Sequence, residues 1–194
     1  MRDRFHVISN LLFFQISYFA CVLGGAAGLP WLGPGAVLAA VAWHLWRVGD
    51  RLTETRLLVA VLAIGTLFES AVTMTGWVEY PSGRVVPWLA PVWILALWLL
   101  FATTLNLCLA WLKHRWWLAV LLGGIGGPLS FYGGSKLQAV ELVEPVAVLA
   151  TLAVAWALLM PTVMWLSTRL DGWQRPPPGG TLRGGDVRRV RPVH

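Results

Sequence analysis

Apolar runs of about 20 residues follow one another from near the start of the chain to about residue 168, each separated from the next by a short polar break. A helix of that length rises roughly 30 Å, the thickness of a hydrocarbon core. Lipid offers nothing to backbone N–H and C=O groups, so a run lying in it must satisfy them internally, as a helix does. The sequence therefore predicts an all-α integral membrane protein. It reads as a six-transmembrane-helix bundle over residues 1–170, with spans at about 7–27, 31–48, 57–77, 88–112, 116–137 and 145–168. Gly28-Leu29-Pro30, Gly33-Pro34, Gly49-Asp50-Arg51 and Pro81-Ser82-Gly83 supply the turn chemistry between the first four. Lys113-His114-Arg115 and the stretch from Glu141 to Pro145 separate the rest.

Charge sets the expected orientation. Arg2, Arg4, Arg47, Arg51, Arg56, Lys113, Arg115, Arg169 and the five tail arginines fall on one side of such a bundle, and only Arg84 and Lys136 on the other. A 13 to 2 split that alternates loop by loop places both termini in the cytoplasm. Only 12% of residues are charged and 57% are hydrophobic, against roughly 25% charged in an ordinary soluble domain, which leaves no room for a separate one. The formal charge of +6 lies in short loops and a tail beside apolar runs, so it argues for membrane topology and against a nucleic-acid partner. Residues 171–194, with Pro176-Pro177-Pro178-Gly179-Gly180 ahead of Arg183, Arg188, Arg189 and Arg191, are expected to form a flexible cytoplasmic tail. Its arginines are placed to touch anionic lipid.

Within the 57–77 span stands Glu69, the only acidic residue inside any predicted span. An ionisable group near mid-bilayer costs roughly 2.5 to 3.5 kcal/mol on insertion scales, so it is expected to face the bundle interior with a partner. Thr66, Glu69, Ser70 and Thr73 follow helical spacing and share one face. Counting along the spans sets Glu69 at about 18 Å from the inner edge, Tyr18 at about 16 Å and Ser130 at about 20 Å. Tyr18 and Ser130 are thus its expected hydrogen-bond partners, with Gln15 and Tyr132 as substitutes. A second polar group, Asn10, His44, Thr103 and Asn106, lies nearer the cytoplasm and reads as structural glue between helices. His44, less than a turn from Arg47, reads as an interfacial histidine.

Ser17, Cys21, Gly24 and Gly28 form a small-residue stripe on the first helix, and Gly123, Gly127, Ser130 and Gly134 form another on the fifth. Four glycines ahead of Pro128 predict a kinked or partly unwound fifth helix, although tight packing through the glycines explains the same composition. Cys21 and Cys108 fall at different depths and read as free thiols. No zinc, haem, P-loop, dinucleotide or hydrolase signature is present, so no catalytic residue, metal ligand or cofactor is assigned.

Phe14-Gln15 leading to Ala20-Cys21-Val22-Leu23-Gly24, Pro30-Trp31-Leu32-Gly33, Ala90-Pro91-Val92-Trp93, Phe101-Ala102-Thr103-Thr104-Leu105-Asn106 and Gly126-Gly127-Pro128-Leu129-Ser130 are distinctive as a set. On these motifs the chain resembles, over roughly residues 5 to 168, the bacterial membrane family known as domain of unknown function 2878. The resemblance implies a bacterial inner-membrane location and carries over no catalytic residue. The leading functional expectation is binding or transport of a small apolar molecule or lipid in an intramembrane cavity around Glu69. Its lining would include Tyr18, Gln15, Ser130, Tyr132, Thr66 and Thr73. The alternatives are a non-catalytic accessory or assembly protein with a membrane-protein partner, and a lipid-modifying enzyme.

Overall fold

The structure, a computed structural model, describes residues 4–173, so the tail expected from 171 onward lies, beyond Trp173, outside the described residues. Six α-helices dominate it: α1 Arg4–Ala26, α2 Leu32–Arg47, α3 Arg51–Met74, α4 Val92–Leu105, α5 Trp116–Lys136 and α6 Pro145–Arg169. Of these, α1, α3, α5 and α6 are long and apolar enough to cross a membrane. With 16 and 14 residues, α2 and α4 rise only about 24 and 21 Å. The shorter α4 is the central element, packed by α1, α2, α3 and α6, while α5 pairs with α6 and α1 with α2.

Capping chemistry explains where the helices begin and end. Gly28, at φ 75°, closes α1, and the amide of Leu29 donates back to Gly24 O at 2.8 Å, a left-handed C-terminal turn that suits a residue without Cβ. Asp50 starts α3: its carboxylate accepts from Thr53 N at 3.1 Å and Thr53 Oγ1 at 2.6 Å. As a result α3 begins six residues before the expected 57, which brings Glu54 into the helix. The expected fourth span of 88–112 is also corrected. Pro91 holds the chain extended at the start of α4, and after Asn106 the chain leaves the helix through turns and a single 3-10 turn, Ala110–Leu112. There the hydroxyls of Thr103 and Thr104 donate to Leu100 O and Phe101 O, each at 2.7 Å.

No unwinding occurs in α5, which stays helical through Pro128. Its glycines admit the neighbouring helix instead: a Cβ at Gly123 would collide with the α6 backbone at Trp156, and one at Gly127 with the Trp156 indole. The first-helix stripe works likewise, since a Cβ on Gly33 of α2 would strike Cys21. Both cysteines are free. At the opposite end from Asp50, β1 (Val78–Glu79) pairs antiparallel with β2 (Glu141–Leu142), tying the loop after α3 to the loop after α5. That bridge is not foreseen by the apolar pattern, because each strand is only two residues long.

Candidate functional site

Glu69 is 2% exposed. One turn before it on the same helix, Gly65 leaves a gap that the Trp98 indole fills, since a Cβ there would lie inside the ring system. This brings Trp98 Nε1 to Glu69 Oε1, to which it donates at 3.0 Å. The other carboxyl oxygen, Oε2, finds no hydrogen-bond partner among the described residues. Trp98 in turn stacks on Trp156 of α6, with centroids 4.9 Å apart and planes at 21°. Phe101 stands edge-on to both, at 6.3 and 5.8 Å.

These side chains border a cavity of about 140 Å³ where α1 and α5 flank α4. Phe14, Tyr18 and Val22 form its α1 wall, Gly127, Ser130 and Phe131 its α5 wall, and Trp93 its end toward the β-bridge. Trp93 is fixed by donating Nε1 to Ser82 O at 3.2 Å and by an edge contact with Tyr80. Tyr80 lies in the loop beyond α3, and burial pushes its phenol above the ordinary range. Trp156 Nε1 is, like Glu69 Oε2, buried without a partner among the described residues. The cavity thus has apolar aromatic walls, and two of its lining side chains, Glu69 and Trp156, each hold one of these unpartnered polar atoms.

Some 15 residues before Glu69 the same helix carries Glu54, fully buried and fully engaged. His44 Nε2 lies 2.8 Å from its Oε1, while Asn106 Nδ2 and the Gly172 amide donate to its Oε2 at 2.8 and 3.1 Å. Asn10 Nδ2 stands 3.4 Å from His44 Nδ1 and from the carbonyl and hydroxyl oxygens of Thr103. Lys113 Nζ donates to Asn106 Oδ1 at 2.6 Å, Asp171 Oδ2 at 2.7 Å and Ser167 O at 2.9 Å, so all three ammonium directions are used. Asp50 N donates to Gly172 O at 2.9 Å, and the Trp173 ring packs edge-on against His6 and His44, both at 5.5 Å. Residues 171–173, placed in the tail by composition, are therefore docked on the start of α3.

The structure brings Tyr18, Glu69 and Ser130 to one cavity, but the bond to Glu69 comes from Trp98 and not from Tyr18 or Ser130. Gln15 is exposed on α1. Tyr132 lines a separate cavity beside the β-bridge, with the Lys136 ammonium 5.0 Å from its ring centroid. Thr66 is half-buried away from the cavity lining, and Thr73 spends its hydroxyl on Glu69 O at 2.8 Å. Asn10, His44, Thr103 and Asn106 do converge, and His44, 2% exposed, turns inward to Glu54. Sequence reasoning missed Glu54, Lys113 and Asp171 at one end, and Trp98 and Trp156 at the other. The Asp50 cap marked an earlier helix start that would have revealed Glu54. Two tryptophans deep within apolar runs were the available sign of an aromatic cavity. Among the described residues no cluster of three or more His, Cys, Asp or Glu side chains is arranged to hold a metal ion.

No curated protein and no solved structure matches the chain significantly. A family model described as a protein of unknown function (DUF2878) matches residues 7–162, from α1 through most of α6, and the chain belongs to that family.

Proposed function

We propose that this chain is a multi-pass protein of a bacterial inner membrane, with six spans and both termini in the cytoplasm, that binds or moves a small apolar molecule or lipid in the cavity beside Glu69. The alternation of cationic loops supports the orientation. Large apolar side chains exposed along α1 and α6, among them Leu12, Ile16, Val154 and Leu158, suit a lipid-facing surface. The observation that carries the binding reading is Glu69 Oε2. Leaving a buried polar atom unpaired costs roughly 1 to 3 kcal/mol, and a ligand that donates to it relieves that cost.

Native mass spectrometry of the protein released from lipid nanodiscs tests this reading. The parent is expected to carry a bound apolar molecule. Ser130→Phe, which fills the cavity from its exposed margin, is expected to lose it with little change in melting temperature. A second reading, an assembly protein whose polar groups only join helices, rests on the Trp98–Glu69 bond between α3 and α4. It gains if parent and Ser130→Phe both emerge empty and Glu69→Leu merely lowers stability.

A further inference from the structure

We infer that the occupant of the Glu69 cavity is a single-ring phenol with an apolar tail, an inference that rests on the binding reading above and narrows it to one chemical class. The volume of about 140 Å³ is close to that of an engineered apolar cavity of about 150 Å³ that holds one benzene molecule. Its walls present indole and phenyl surfaces, against which a planar ring gains edge and face contacts that a linear chain does not. Among the described residues, two lining side chains each hold a buried polar atom without a partner, Glu69 Oε2 and Trp156 Nε1. A hydroxyl has the chemistry to answer either one: its proton suits the carboxyl oxygen and its oxygen suits the indole N–H. An ether answers only the second and a hydrocarbon neither. The tail has a route out between α1 and α5, which border the cavity from either side of α4 without forming a packed pair, and Ser130 is exposed at that margin.

The test uses the whole protein in nanodiscs and three matched probes, 4-propylphenol, 4-propylanisole and propylbenzene, with binding followed by tryptophan quenching and calorimetry. Ser130→Phe serves as the blank for partition into lipid. The phenol is expected to bind at least tenfold more tightly than propylbenzene, with the anisole between them. Glu69→Leu should bring the phenol down to the anisole. Glu69→Gln retains an acceptor for Trp98 but presents an amide N–H₂ in place of Oε2, so phenol and anisole should bind it equally. Trp156→Phe should bring the anisole down to propylbenzene. If the three probes bind alike, or if the phenol keeps its advantage in both Glu69 variants, the phenol assignment fails while cavity binding stands. It fails in the same way if decanol competes better than all three probes. If no probe and no decanol binds above the blank, both the assignment and the binding reading fail.

Discussion

Two glutamates on α3 divide the molecule into a closed end and an open one. Glu54 and Glu69 lie 15 residues apart, about 22 Å along the helix, and are 0% and 2% exposed. Residue type, helix and burial are the same, and only the partners differ. Both oxygens of Glu54 are engaged, by an imidazole, a side-chain amide and a backbone amide arriving from three other segments. Among the described residues the Glu69 carboxyl has one bond, from an indole, and Glu69 lines a cavity. A carboxyl with both oxygens engaged is committed to holding elements together, whereas one with a free buried oxygen retains capacity to bind. Burial of an acid in an apolar helix is thus no guide to its role until its partners are counted.

The largest expected effect follows from removing Glu54. Glu54→Leu takes the buried partner from His44 Nε2, from the Gly172 N–H and from one of the two bonds made by Asn106 Nδ2, which keeps Leu170 O at 2.7 Å, and breaking such a buried arrangement costs about 3 to 5 kcal/mol. Thermal unfolding in detergent should show this variant far less stable than Glu69→Leu, which strands only Trp98 Nε1 at about 1 to 3 kcal/mol. Equal melting temperatures for the two variants would erase the contrast between the ends.

Next in size is Lys113→Met. Lys113 and Asp171 are 5% and 4% exposed at the side chain, so the substitution takes the ammonium away from a buried carboxylate, at about 3 kcal/mol. Adding Asp171→Leu should recover part of that loss, with a coupling of about 0.5 to 3 kcal/mol in the double-mutant cycle. Additive losses would show that the pair is not a unit and that the closed end is less connected than its geometry indicates.

What the sequence disclosed and what it withheld follow the same division. The apolar runs and their glycine and proline breaks located α1, α2, α5 and α6 to within a few residues, because span length and helix termination are local properties. Tyr18, Glu69 and Ser130 could be brought to one level by counting residues, since depth along a helix is linear. Rotation about the helix axis is not fixed by depth, and it was rotation that gave Trp98 to Glu69 and turned Gln15 outward. The closed end was harder still: Lys113 and Asp171 sat in a loop and a presumed tail, where charge reads as topology. Only the fold-back of residues 170–173 makes them structural.

Gly65→Ala examines how the open end is maintained. The added methyl cannot share space with the Trp98 indole, so the ring must shift, at about 1 to 3 kcal/mol for overpacking. The shift also separates Trp98 Nε1 from Glu69 Oε1. A change in tryptophan fluorescence together with reduced stability is expected. Unchanged fluorescence would mean that the stack on Trp156, rather than the space at Gly65, holds the indole in place.

The smallest expected effect separates the exposed cap of α3 from the buried network one turn away. Hydrogen bonds from the Thr53 side chain and amide, and then the charge of Arg56, hold the Asp50 carboxyl below its ordinary value of 3.8. A carboxyl whose folded value is depressed contributes stability above its unfolded value, and that contribution is lost as pH falls through the folded one. Asp50→Ala should therefore lower the melting temperature slightly at neutral pH, and the gap from the parent should close as the pH drops below about 4. Because Asp50 lies in water, added salt should weaken the Arg56 part and leave the Thr53 bonds in place. A gap that persisted unchanged at low pH would assign Asp50's role to its backbone, whose amide donates to Gly172 O at 2.9 Å, and would make the cap part of the closed network rather than a neighbour of it.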